Sequence, residues 1–145
     1  MLWQWDESLS VGINVIDAQH KRIVQYINEL ATARDNGDRA TIGKVLDGMI
    51  DYTVTHFAFE ESLMERAGYP ILREHKMVHD NFTRRILNHK NQFEAGGDIG
   101  RQLFSDLQMW LTNHIKRDDK DYTPAVRQVI EEKSWVSRMV QKMFG

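Results

Sequence analysis

The chain has 145 residues, of which 19 are basic and 21 acidic, for a formal net charge of −2. That length supports a single domain with a sizeable core, and the interleaved, nearly balanced charge excludes the basic footprint of a nucleic-acid-binding protein. The absence of cysteine excludes a disulfide framework and fits a cytoplasmic protein, and neither a secretory apolar stretch nor a run long enough to span a membrane is present.

Residues 1–16 read as an N-terminal arm. A first amphipathic helix is expected from an Asp17 cap, through Ile23, Val24, Ile27 and Leu30, to Arg34, with Gly37 ending it. A second, long helix runs from about Asp38 to Ala67 and stops at Gly68. Pro70 fits the first turn of a third, which continues to about Phe93 before Gly96 and Gly97. Asp98 is placed to cap a fourth, which carries Leu103, Leu107, Trp110, Leu111, His114 and Ile115 and reaches about Lys116. Connections this short make successive helices antiparallel. The expected fold class is therefore all-α, an up-down-up-down four-helix bundle over residues 17–121 within one domain.

Residues 122–145 read as a C-terminal helical extension. Thr123 and Pro124 make a helix start, cap then first turn. Farther on, Trp135, Val136, Met139, Val140, Met143 and Phe144 form an apolar stripe, with Lys133, Arg138 and Lys142 away from it. The stripe has two readings: it packs on the chain's own bundle or a sister chain, or it docks on a partner or a membrane surface.

The residues that carry chemistry are histidines and carboxylates at helical spacing. Residues four apart share a helix face, so His56 and Glu60 can aim at a common point, as can His75 and His79. Each pair falls on the apolar stripe of its own segment, beside Met49, Ile50, Phe57, Leu63 and Met64 in one case and Leu72, Val78, Phe82 and Ile86 in the other. Buried imidazoles and carboxylates need partners, and convergence on divalent iron, manganese, cobalt or zinc satisfies them together. His20 and His114 complete the set. Asp119 lies five residues past His114, about 140° of ideal helix from a full turn, so the helix is expected to end between them and Asp119 to sit on a turn. Spacing does not choose among Asp118, Asp119 and Asp121, any of which is equally a solvated charge. His89, among Asn88, Lys90 and Asn91, reads as a surface residue.

DAQHKRI around His20, HFAFEE from His56, HKMVH at 75–79 and WLTNHIKRDD ending at Asp119 together resemble the hemerythrins, and more closely their single-domain bacterial members. The similarity runs from Trp3 to about Pro124, with no departure at a ligand position. It implies a non-haem site of two irons, cycling between Fe2+ and Fe3+ with an oxo or hydroxo bridge. His75, His79 and His114 would hold one iron, His20 and His56 the other, with Glu60 and Asp119 bridging both. Two octahedral ions offer about twelve positions. Roughly eleven of them are filled by five histidines, two bridging carboxylates and the small bridge, leaving one for dioxygen on the iron with fewer histidines. Ile23, Phe57, Trp110 and Leu111 would wall that position against water, Leu111 first, although ordinary core packing explains them equally.

The implied function is reversible dioxygen binding for storage or delivery, without catalysis. The alternatives are oxygen sensing through a partner protein, iron or nitric oxide handling, and a di-iron oxidase. The last is disfavoured because ferritin-like sites use paired Glu-x-x-His motifs and this chain has none. A docking tail would place bound oxygen beside an oxygen-consuming or membrane-associated complex, and the expected assembly is a monomer or a weak homo-oligomer.

Overall fold

Two glycines and one aspartate set the first helix ends. Gly37 and Gly68 adopt left-handed φ values of 73° and 67°, which a residue with a Cβ rarely does, and their amides return to the last carbonyls of the helices they close. Asp38 accepts from the amides of Ala40 and Thr41 at 3.1 and 3.3 Å, capping the following helix. The computed structural model describes residues 2–98 and 101–145. Helix α1 spans Asn14–Asn36, α2 Arg39–Ala67, α3 Leu72–Glu94 and α4 Arg101–His114; a π-helical turn at Ile115–Asp119 leads into α5 (Lys120–Glu131), and α6 (Lys133–Phe144) closes the chain. No strand occurs among the described residues.

Helices α1 to α4 form the bundle. Helix α1 packs on α2 and α4, and α2 also packs on α3, α5 and α6. Their inward faces supply one continuous core, with Ile16, Leu30, Leu46, Met49, Phe59, Leu63 and Met64 essentially closed to solvent. No helix among the described residues is long and apolar enough to cross a membrane.

Four expectations from local pattern are corrected. Helix α1 begins three residues before Asp17, at Asn14 after Ile13. Asp17 is turned inward instead, accepting from Ser10 Oγ at 2.5 Å and the Val11 amide at 2.9 Å, so it pins the arm to the bundle. Pro70 lies in the turn before α3 rather than in its first turn. The third correction is the largest: the chain does not stop being helical between His114 and Asp119, and passes through the π turn directly into α5. Thr123 and Pro124 therefore lie inside α5, where the Thr123 hydroxyl donates back to the Asp119 carbonyl at 2.9 Å. The helix start expected just after an Asp98 cap falls on residues 99–100, which lie outside the described residues.

The tail stripe is covered by the chain itself. Trp135, Val136, Met139, Val140, Met143 and Phe144 pack half-buried against the core. The Phe144 ring meets Tyr52 and Phe59 at 5.4 and 6.0 Å. A break at Glu132 redirects α6, and Arg66 grips that break with a two-point ion pair to Glu132 at 2.7 and 3.1 Å while its guanidinium lies over Trp135.

Candidate metal centre

Helices α1, α2, α3 and α4 and the π turn send seven side chains to one point in the core: His20, His56, Glu60, His75, His79, His114 and Asp119. All are buried, none more than 4% exposed. The π turn explains how His114 and Asp119 come together. Its hydrogen bonds close on the fifth residue rather than the fourth, so residues five apart meet on one side without the chain leaving the helix.

The donor atoms fall into two groups. Glu60, His75, His79, His114 and Asp119 form one; His20, His56, Glu60 and Asp119 form the other; within each, the ligand atoms lie within 4.8 Å of one another. Both groups share the two carboxylates. Glu60 Oε1 stands 3.0 Å from His56 Nε2 and 3.4 Å from His79 Nε2. Asp119 Oδ1 stands 3.2 Å from His75 Nε2 and 3.1 Å from His114 Nε2, and its Oδ2 3.1 Å from His20 Nε2.

These spacings fit metal binding on chemical grounds. Donors at right angles around an ion, with bonds of about 2.1 Å, stand about 3 Å apart. Several of the atoms are otherwise orphaned: His20 Nε2, His56 Nε2, His75 Nε2, Glu60 Oε1 and both Asp119 oxygens are buried without a hydrogen-bond partner. Orphans of this kind are costly unless something else pairs them. His79 Nε2 and His114 Nε2 face each other at 3.0 Å, a contact that two protonated nitrogens could not make and that a cation accepting both lone pairs would.

His56 and His114 are shifted in opposite directions. Burial, against the pull of Glu60, lowers His56 below the ordinary imidazole value. Burial works against His114 too, but Asp119 and Asp118 outweigh it and push it up to about 10. For Glu60 and Asp119, burial raises the carboxyl, yet the facing imidazoles win and hold both below the usual carboxylate range. Both carboxylates are thus held in the anionic form.

A second layer orients the imidazoles. The Nδ1 edge of His56 meets Gln19 Oε1 at 2.6 Å, that of His79 meets Glu61 Oε2 at 2.8 Å, and that of His114 meets Asp118 Oδ2 at 2.8 Å. Each oxygen accepts an Nδ1 proton and so selects the tautomer whose Nε2 lone pair points at the site. Tyr122, fully buried, donates its hydroxyl to Glu60 Oε2 at 2.5 Å. None of these four was among the expected ligands. Asp118 had a local signal, its four-residue spacing from His114. Tyr122 becomes readable only once the helix is known to continue past Asp119, and Gln19 and Glu61 pair across different helices.

Of the apolar residues singled out beside the site, Phe57 stacks on the His79 ring at 3.9 Å and Trp110 on the His114 ring at 4.5 Å. Phe57, Ile23 and Leu111 are buried, while Trp110 is half-buried and stacked on Phe82. His89 is partly exposed and belongs to neither group.

Residues 11–126 match the family model described as the hemerythrin HHE cation binding domain. The chain is 45% identical to a bacteriohemerythrin of Pseudomonas aeruginosa over 97% of each chain. It is 35% identical to a bacteriohemerythrin of Methylococcus capsulatus over 87% of this chain and 96% of that one. A crystal structure of wild-type hemerythrin superposes with a TM-score of 0.82 at 34% identity, covering 87% of this chain and 98% of the other. The Pseudomonas alignment extends well into residues 122–145, so the tail is shared with some relatives rather than peculiar to this chain.

Proposed function

The chain belongs to the hemerythrin family, and from that premise we propose that it binds dioxygen reversibly at a non-haem pair of irons, for storage or delivery and without catalytic turnover. The observation that carries the reading is the unequal sharing of donors: three histidines on one side, two on the other, with Glu60 and Asp119 common to both. His75, His79 and His114 would hold one iron and His20 and His56 the other. Bound there, two ferrous ions would supply two electrons and, on the side with fewer histidines, a free coordination position.

The protein's own residues would do the rest. Gln19, Glu61 and Asp118 keep the Nε2 lone pairs aimed inward. Phe57, Ile23 and Leu111, all buried, would exclude bulk water and anions, which slows loss of the electrons to solvent. Five imidazoles and two carboxylates also form a different donor set from the Glu-rich sites of ferritin-like oxidases.

The test is iron content together with anaerobic and aerobic absorption spectra. The expected result is two irons per chain and a visible charge-transfer band that appears with oxygen and disappears on its removal. One zinc per chain, or a spectrum indifferent to oxygen, would refute the reading.

A further inference from the structure

The two carboxylates shared by both donor groups carry four oxygens, and one of them differs from the rest. Glu60 Oε1 and both Asp119 oxygens have no hydrogen-bond donor. Glu60 Oε2 accepts the Tyr122 hydroxyl at 2.5 Å. The phenol is held firmly: Tyr122 is fully buried in α5, its ring tilted against His75 at 5.5 Å and edge-on to Tyr69 at 6.5 Å.

A hydrogen bond donated to a ligand oxygen draws off charge that the oxygen would otherwise give to the metal, and outer partners of this kind tune the metal. Hydrogen bonding to ligand atoms is one of the protein's means of setting a redox potential. A ferric ion depends on that charge more than a ferrous ion does. We infer that Tyr122, through its hydrogen bond to Glu60, biases the metal pair toward the reduced state that takes up dioxygen. Tyr122 is a positioning residue in this role, and the inference rests on the iron-pair reading above.

The test compares the wild-type chain, Tyr122→Phe, and Tyr69→Phe as a control that alters the neighbouring phenol without touching Glu60. Iron content, the melting temperature of the metal-free protein and the midpoint potential from a mediated titration are measured for each. In every one-electron oxidation the electron passes from iron to the mediator, and the phenol proton stays on Tyr122. Two irons are expected in all three proteins. Tyr122→Phe should favour the oxidised site by about tenfold, a fall of about 59 mV for a one-electron step, while Tyr69→Phe stays with the wild type. Placing 3-fluorotyrosine at position 122, a stronger donor of nearly the same shape, should move the midpoint the other way and tests the inference even if the Phe variant folds poorly. An unchanged midpoint in both substitutions, or a shift that follows melting temperature rather than donor strength, overturns the inference while leaving the oxygen-binding reading intact. A wild-type chain without paired iron overturns both.

Discussion

His79 and His89 lie ten residues apart on α3, one buried among ligands and the other partly exposed outside them. His79→Ala should lose iron and lower the melting temperature, because metal bound only by the folded state adds its binding free energy to folding. His89→Ala should do neither; equal behaviour of the two would show the site is misassigned. Asp118→Ala should weaken metal binding by roughly 10- to 100-fold, the usual effect of losing an outer partner of a ligating histidine, whereas Asp119→Ala should abolish the paired site. Competition with a chelator measures both. Protons give an independent check. His114, raised to about 10 mainly by Asp119 and Asp118 against the cost of burial, keeps its proton at neutral pH in the metal-free protein. That raised value stabilises the metal-free fold fully below the ordinary imidazole range, and the contribution is lost as pH rises through about 10. Metal needs the neutral ring, so loading near pH 7 should release protons, fewer as pH approaches 10. Calorimetry in buffers of different ionisation enthalpy reads this, and no release at pH 7 would contradict it. The inward pairs His56 with Glu60 and His75 with His79 were legible because four-residue spacing is local; the partners of His56 and His79 were not, because Gln19 and Glu61 reach them from other helices.

The π turn is the element on which the site depends. Two residues five apart cannot share a face of a regular α-helix, and local pattern resolved that conflict by ending the helix. The structure widens one turn instead, which keeps α5 continuous and delivers Tyr122 to Glu60. Inserting one alanine between Lys116 and Arg117 would set the two ligand positions six residues apart and turn the Asp carboxylate away from His114. Helical content by circular dichroism should hold while iron content falls sharply; retention of both irons would mean that the turn is not what sets the geometry. The apolar run through Leu103, Leu107, Leu111 and Ile115 gave no hint of this, because it ends where the π turn begins.

For the molecule as a whole, the tail is part of the fold. Its stripe lies against the bundle, with Phe144 between Tyr52 and Phe59. Removing residues 133–145 should therefore lower stability measurably, because it re-exposes the apolar stripe and the core face beneath it, and apolar area is worth about 25 cal/mol per Å². Thermal melting checks this. An unchanged melting temperature would return the stripe to the docking reading. Sequence by itself determined that this chain is an all-α bundle and which histidines belong to its interior, because amphipathic period, glycine stops and four-residue ligand spacing are all properties of neighbours along the chain. Tertiary structure alone decided that Asp119 joins the site from within a helix, that Asp17 pins the arm, that Tyr122 reaches Glu60 and that the tail covers its own bundle. The last two are contacts between distant segments, whose favourable energy exists only after the helices have packed; the first two are short in sequence, and their outcome depends on which way a side chain faces once the bundle buries it.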